Sequence, residues 1–222
     1  VRQENRITRF IVGDDVFVTN TKLLKTVHRP NFLKKYRAVI RDAAALGFKI
    51  VAYQILGLPG DTVPSMIKTL LFNAKLPVLL GASPFYLIPH SPIARHFSDP
   101  SETDVFKARL TAMAIETNDF KREDLYTLLI TTRILNFLKG LSSPEKKVAF
   151  LKVLGVASKS SARSAAGVKI LQKLFEEKIL YASTAKGFEP LPRFRVEVFF
   201  QLWQKLGNIK TLENKVVRIR GD

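Results

Sequence analysis

The sequence predicts an α/β fold with parallel strands in its first hundred residues, followed by a mainly helical second part. Three observations carry this. An apolar, β-branched and aromatic run at residues 50–56 ends sharply at Gly57-Leu58-Pro59-Gly60 and leads into a helical pattern. A second uncharged run at residues 78–88 follows that helix, which makes strand–loop–helix–strand, one unit of a parallel sheet. After Pro100 the apolar residues recur mostly at helical spacing.

Taken in order, residues 7–12 form a short apolar strand that Gly13-Asp14-Asp15 ends. Residues 20–27 read as a short helix with Leu23 and Leu24 inward, and His28-Arg29-Pro30-Asn31 as a turn. A helix over residues 32–46 puts Leu33, Tyr36, Ile40, Ala43 and Ala44 on one face. Lys34, Lys35, Arg37 and Arg41 fall largely on the other, and Gly47 is a natural C-cap. The strand at residues 50–56 follows. Asp61 or Thr62 then caps a helix with Pro64 in its first turn, where a missing N–H costs nothing. Met66, Ile67, Leu70, Leu71 and Ala74 give that helix its apolar face. The strand at residues 78–88 ends in Pro89-His90-Ser91-Pro92. The order is β–α–α–β–α–β, joined by right-handed crossovers. Three parallel strands are too few to stand alone as a sheet covered on both faces. With a start at Val1, the expectation is a fragment whose earlier strands lie upstream.

In the second part, Ser101 with Asp104 opens a helix to about residue 118. Residues 122–139 form an apolar helix closed by Gly140. Ser143-Pro144-Glu145 opens a third, with Val148, Leu151 and Leu154 inward, and residues 162–178 form a fourth. Residues 179–184 and 188–191 flank Ala185-Lys186-Gly187 as a β-hairpin. A last helix over residues 196–206 carries Phe199, Phe200 and Trp203, which read as core packing rather than a base-stacking platform. The tail at residues 215–220 is a strand or disordered. The chain therefore divides into residues 1–100 and 101–222.

Composition narrows the chemistry. At 46% apolar residues the chain can bury a sizeable core. With no cysteine it supplies no disulfide, no thiolate nucleophile and no ligand to an iron–sulfur cluster. His28, His90 and His96 lack metal-ligand spacing. The net charge of +17 is spread over both halves and invites a nucleic-acid reading. Helix, helix, helix, hairpin over residues 144–192 is winged-helix-like, with Lys159, Arg163, Lys169 and Lys173 on a recognition helix and Lys186 on the wing. A helical cap with solvated lysines is the favoured reading of that stretch. The longest uncharged run, residues 76–94, holds four prolines and suits a buried strand rather than a membrane helix. No signal peptide is visible, so no membrane partner and a cytoplasmic location are expected.

Parallel strands place ligands at their carboxyl ends. The loops over residues 57–62 and 88–92 are therefore where function is expected, although turn residues ahead of a helix cap are common in themselves. A phosphate ligand at the helix start is a weak option, since the loop has neither the lysine of a P-loop nor the spacing of a dinucleotide fingerprint.

In this region the chain resembles the later half of the radical S-adenosylmethionine enzyme barrel. It looks most like the cobalamin-binding branch, a relative of the methylthiotransferases and oxygen-independent coproporphyrinogen oxidase. Phe10-Ile11-Val12-Gly13-Asp14-Asp15 matches a strand ending in glycine and a polar residue. Leu23-Leu24-Lys25 and Arg29 match an "L…R" segment. Ile55-Leu56-Gly57-Leu58-Pro59-Gly60-Asp61-Thr62 matches "hGLPGET", with Asp for Glu. Tyr86-Leu87-Ile88-Pro89-His90-Ser91-Pro92 matches "Y-x-x-P-G-T-P", with His90 for Gly and Ser91 for Thr. The resemblance covers residues 7–97, and the CxxxCxxC loop that holds the family's 4Fe–4S cluster is absent from this sequence.

The resemblance implies the carboxyl-terminal half of a partial (β/α) barrel with parallel strands, followed by the helical domain. Cluster-bearing strands, and any cobalamin domain, would lie upstream in the same polypeptide. The chain alone would be inactive. Gly57, Leu58, Pro59 and Gly60 would let backbone approach the adenine or ribose of S-adenosylmethionine. Tyr86, Leu87, Ile88 and Pro89 would flank the adenine. Asp15 would sit near the ribose or methionine portion, and Arg29 would pair with a carboxylate. Gln54 or Tyr53 would make a polar contact from the barrel interior. The whole enzyme would carry out radical or methyl-transfer chemistry on a substrate the sequence does not name. A basic nucleic-acid-binding module without catalytic activity is the rival reading.

Overall fold

Ile50, Val51 and Ile55 favour extended backbone because branched side chains pack well on a pleated surface. They lie in the central strand, β2 (Lys49–Leu56), of a three-stranded parallel sheet in the computed structural model. The structure describes residues 9–12, 19–26, 32–86, 92, 115–141 and 161–207. β1 (Arg9–Val12) flanks β2 on one side, with Phe10 opposite Ile50. β3 (Leu79–Pro84) flanks it on the other, with Gln54 opposite Ala82. Between β1 and β2 lie α1 (Thr21–Thr26) and α2 (Leu33–Ala45), and between β2 and β3 lies α3 (Val63–Ala74). The expected order β–α–α–β–α–β is observed. The β2–β3 register ends at Leu56 opposite Pro84, the Phe85 N–H donates once more to the Leu56 carbonyl at 2.7 Å, and Tyr86 forms an isolated bridge; residues 87 and 88 of the predicted run lie outside the described residues.

The two longer crossover helices cover one face of the sheet. Ile40 and Ala44 of α2 meet Ile50 and Ala52 of β2, together with Leu76 and Val78. Met66, Ile67, Leu70 and Ala74 of α3 meet Leu56 and Leu80. The opposite face is largely open, and Tyr53 is 46% exposed on it. α1 covers only its Ile55 end, through Leu23 and Leu24.

The second part contributes α4 (Arg122–Leu141), α5 (Ala162–Glu177), a hairpin of β4 (Tyr181–Thr184) and β5 (Gly187–Pro190), and α6 (Val196–Gly207). Two expectations are corrected. Residues 115–118 are not the end of a helix. The Asp124 carboxylate accepts the Lys121 N–H at 2.8 Å and the Glu116 carboxylate accepts the Arg122 N–H at 3.0 Å, so this segment is the lead-in that caps α4. α4 also runs through Gly140 to Leu141 rather than closing before it. The helix expected from Ser143, most of the one expected from Ser101, and the tail lie outside the described residues. The hairpin has a two-residue loop, with Thr184 opposite Gly187 and Gly187 at φ +118°.

One core spans both parts. Leu56, Leu70 and Leu80 of the α/β unit pack with Phe120, Leu125, Leu128 and Leu135 around α4, and with Leu202 and Leu206 of α6. A second cluster joins α4, α5 and α6 around Phe199, which is fully buried and stacks on Trp203 with ring centroids 5.8 Å apart. The aromatic stripe is core, as expected. No described helix is long and apolar enough to cross a membrane.

Candidate functional site

Described residues that follow each of the three parallel strands meet at one end of the sheet. Leu23 and Leu24 follow β1, Leu58 follows β2 and Phe85 follows β3, and they pack together over Ile55. The loop after β2 is the best defined. The Asp61 N–H donates to the Leu58 carbonyl at 2.8 Å, closing a tight turn with Pro59 and Gly60 at its centre. Gly60 has φ +82°, as the third position of a type II turn requires. Thr62 caps α3, its hydroxyl accepting the Ser65 N–H at 3.2 Å.

Asp61 stands at the base of this turn and is buried. Its Oδ1 accepts the Thr62 N–H at 3.0 Å, while Oδ2 has no hydrogen bond of good geometry. Burial raises its pKa from the ordinary carboxylate value. The nearby Ser65 hydroxyl and the Thr62 and Gly57 amides pull the other way and do not cancel the effect. A buried carboxylate at the helix start, with the Thr62 and Ser65 N–H groups already engaged, makes this end of α3 a poor phosphate site.

A line of polar side chains continues from Asp61 down α3. Thr69 bonds the Thr19 N–H at 3.0 Å, and Asn20 donates to the Ser65 hydroxyl at 3.3 Å. Asn73 donates to Gln54 at 2.8 Å and accepts from the Tyr36 hydroxyl at 3.4 Å. Ser65, Thr69 and Asn73 recur every fourth residue, which is one face of a helix. The sequence reading singled out only the apolar face of this helix; the polar stripe at spacing four is the signal it passed over, and it ties Thr19, Asn20 and α2 to α3.

The predicted site residues divide accordingly. Gly57 at φ +79° has no room for a Cβ, which would lie 2.8 Å from Leu125 and 3.2 Å from Phe120. Its missing side chain therefore makes room for Leu125 and Phe120. Leu58 is buried beneath the turn, Pro59 is half-buried and Gly60 is exposed. A Cβ on Gly60 would meet only Leu23, at 3.9 Å, so its backbone is approachable from outside. Gln54 shares the face of Ile50, Ala52 and Leu56 under the helices, and its Nε2 is a buried atom without a hydrogen bond. Strand alternation places Tyr53, and not Gln54, on the open face. Tyr86 is 48% exposed just past β3. Asp15, Arg29, Leu87, Ile88 and Pro89 lie outside the described residues, as do the three histidines.

Several basic residues of the winged-helix-like part are engaged internally. Lys173 pairs with Glu177 and lies over the Tyr181 ring, with its Nζ 5.0 Å from the ring centroid. Lys178 donates to the Phe175 carbonyl and sits over Phe200. Arg195 pairs with Asp124 at 3.0 Å. Lys159 lies outside the described residues, while Arg163, Lys169 and Lys186 are exposed. Among the described residues no group of three His, Cys, Asp or Glu could hold a metal. Comparison of the chain with protein-family models, with curated proteins and with solved structures finds no match.

Proposed function

We propose that this chain is the carboxyl-terminal portion of a radical S-adenosylmethionine enzyme, contributing one rim of the cofactor site and part of the substrate enclosure. The observation that supports the reading is the placement of two motif residues just past the carboxyl ends of β2 and β3. There the exposed Gly60 turn and the exposed Tyr86 ring stand on adjacent parallel strands.

Residue types limit what this chain does in that reaction. A 4Fe–4S cluster needs thiolate ligands, and the chain has no cysteine, so the cluster belongs to polypeptide beyond this sequence. S-adenosylmethionine fits the rim better. It supplies, when bound, the methyl group or the radical-forming sulfonium. Gly60 offers backbone that a nucleoside can approach, and Tyr86 offers a ring face for the adenine. Asp61 holds the turn from beneath, through its own N–H and that of Thr62. Asp15, Arg29, Leu87, Ile88 and Pro89 enter through the resemblance alone, and cobalamin would bind an upstream domain.

The test is S-adenosylmethionine binding, by calorimetry, to this chain extended by the polypeptide encoded ahead of it. Tyr86→Ala is expected to weaken binding by about 1–3 kcal/mol, the worth of one base–aromatic stack. Lys186→Ala on the hairpin leaves it unchanged. No binding in the extended protein, with single-stranded nucleic acid bound instead in a steeply salt-dependent way, favours the binding-module reading.

A further inference from the structure

Charge that runs evenly along the sequence is displayed unevenly by the fold. Around α5, the hairpin and α6 the exposed surface is mixed, with Glu176, Glu189 and Glu197 among Arg163, Lys169 and Lys186. α2 and α3 together carry a single acidic residue, Asp42.

The basic residues of these two helices fall in two lines. On α2, Lys34, Arg37 and Arg41 are exposed and follow one another at three and four residues, so they share one side of the helix. On α3, Lys68, Phe72 and Lys75 follow at four and three, with both lysines exposed and Lys75 as the C-cap. The lines meet where the Arg37 guanidinium lies over Phe72, 5.2 Å from the ring centroid. Stacking on a ring uses the face of a guanidinium and leaves its N–H edge for hydrogen bonding. Asp42 lies outside the α2 line, about 100° round the helix from Arg41. Among the described residues, Lys34, Arg37, Arg41, Lys68 and Lys75 form no ion pair.

Dimensions narrow the ligand. From Lys34 to Arg41, and from Lys68 to Lys75, is about 10 Å at 1.5 Å per residue, and packed helices lie about 8–10 Å apart. Cations spread over such a patch exceed the reach of one phosphate. They match about three successive phosphates of a nucleic-acid strand, which rises about 3.4 Å per phosphate. A membrane surface would need apolar side chains beside the cations. Phe72 is half-buried under Arg37, and the exposed Phe32, Val39 and Leu46 lie on the other flank of α2.

We infer that the outer side of α2 and α3 is a docking surface for the sugar–phosphate backbone of a nucleic acid, held without regard to base sequence. The surface involves neither Gly60 nor Tyr86 and lies apart from α5 and the hairpin. It rests on neither the cofactor nor the half-barrel reading, and S-adenosylmethionine binding is a separate readout.

The test uses this chain and a fluorescein-labelled single strand of mixed sequence, followed by anisotropy across a range of potassium chloride. The triple variant Arg41→Gln, Lys68→Gln, Lys75→Gln is compared with Arg163→Gln, Lys169→Gln, Lys186→Gln, which removes the same charge from exposed positions of α5 and the hairpin. The first is expected to weaken binding about tenfold or more and to flatten the slope of log affinity against log salt by about 2, the share of three phosphate contacts. The second should stay within about twofold of the wild type. Equal losses in both triples would mean that net charge and not this surface holds the strand, and would overturn the inference. So would no binding at low salt, or displacement of the strand by polyglutamate at equal charge concentration, which would name an acidic protein as the partner. Lysine acetylation of the wild type needs no variant. With the strand bound, Lys34, Lys68 and Lys75 should be protected while Lys169 and Lys186 keep their rates, and the reverse pattern refutes the assignment.

Discussion

Gly57 and Gly60 share a backbone conformation and differ in their surroundings. Both have φ near +80°, at +79° and +82°. Alanine at Gly60 meets open space, so its cost is the left-handed backbone alone, about 1–2 kcal/mol. Alanine at Gly57 also collides with Leu125, and overpacking adds about 1–3 kcal/mol. Urea unfolding should therefore rank Gly57→Ala clearly below Gly60→Ala, and equal midpoints would refute the close contact. Asp61 gives a pH signature. Its pKa is raised from 3.8 in the folded protein, so the folded state binds the proton more tightly. The stability this contributes is complete below the unfolded value and is lost as pH rises through the raised one. Asp61→Asn does not titrate. Its midpoint minus that of the wild type should climb from pH 3.5 toward pH 7, and a flat difference would mean that the carboxylate is not desolvated.

At the scale of elements, α3 was the most legible. A cap at Asp61 or Thr62, Pro64 in its first turn and its apolar line all follow from residue types at fixed offsets, and the structure selects Thr62. The lead-in to α4 was less so: Asp124 caps the Lys121 amide at a local offset of three, but Glu116 reaches the Arg122 amide across six residues through a turn that residue types alone do not fix. Asn136 was equally hidden. In sequence it is one polar residue on a helix, yet it holds both backbone groups of Leu80, a residue 56 positions away. Asn136→Leu would strand those groups and is expected to cost about 1–3 kcal/mol in chemical unfolding. It would also leave the β3 edge able to pair, so sedimentation should detect association that the wild type lacks. A monomeric variant of unchanged stability would remove the edge-sealing role.

For the whole molecule, the decisive feature is the core that crosses residue 100. Leu56, Leu70 and Leu80 are buried by Leu125, Leu128 and Leu135, and Leu202 and Leu206 close the same cluster. Cooperative unfolding follows from such sharing. Trp203, the single tryptophan, reports on α6, while far-ultraviolet circular dichroism reports on helices of both parts. The two probes should show coincident thermal transitions. Separated transitions would mean that the parts are energetically independent despite the contacts.

Sequence alone determined what depends on neighbours along the chain. These features are the parallel β–α–α–β–α–β order, a helix cap at Asp61 or Thr62, the turn at Pro59-Gly60, the hairpin around Ala185-Lys186-Gly187 and the inward faces of α1 and α2. Each is set within one helical turn or one strand pair, where residue type limits backbone choice. Tertiary structure decided which face of β2 the helices cover. Every residue from Ile50 to Leu56 except Gln54 is apolar or aromatic, so alternation could not tell Gln54's side from Tyr53's. It also decided that Gly57 serves the packing of Leu125 while Gly60 stays open, although only Leu58 and Pro59 separate them. That difference comes from side chains more than sixty positions away, and no local spacing encodes it.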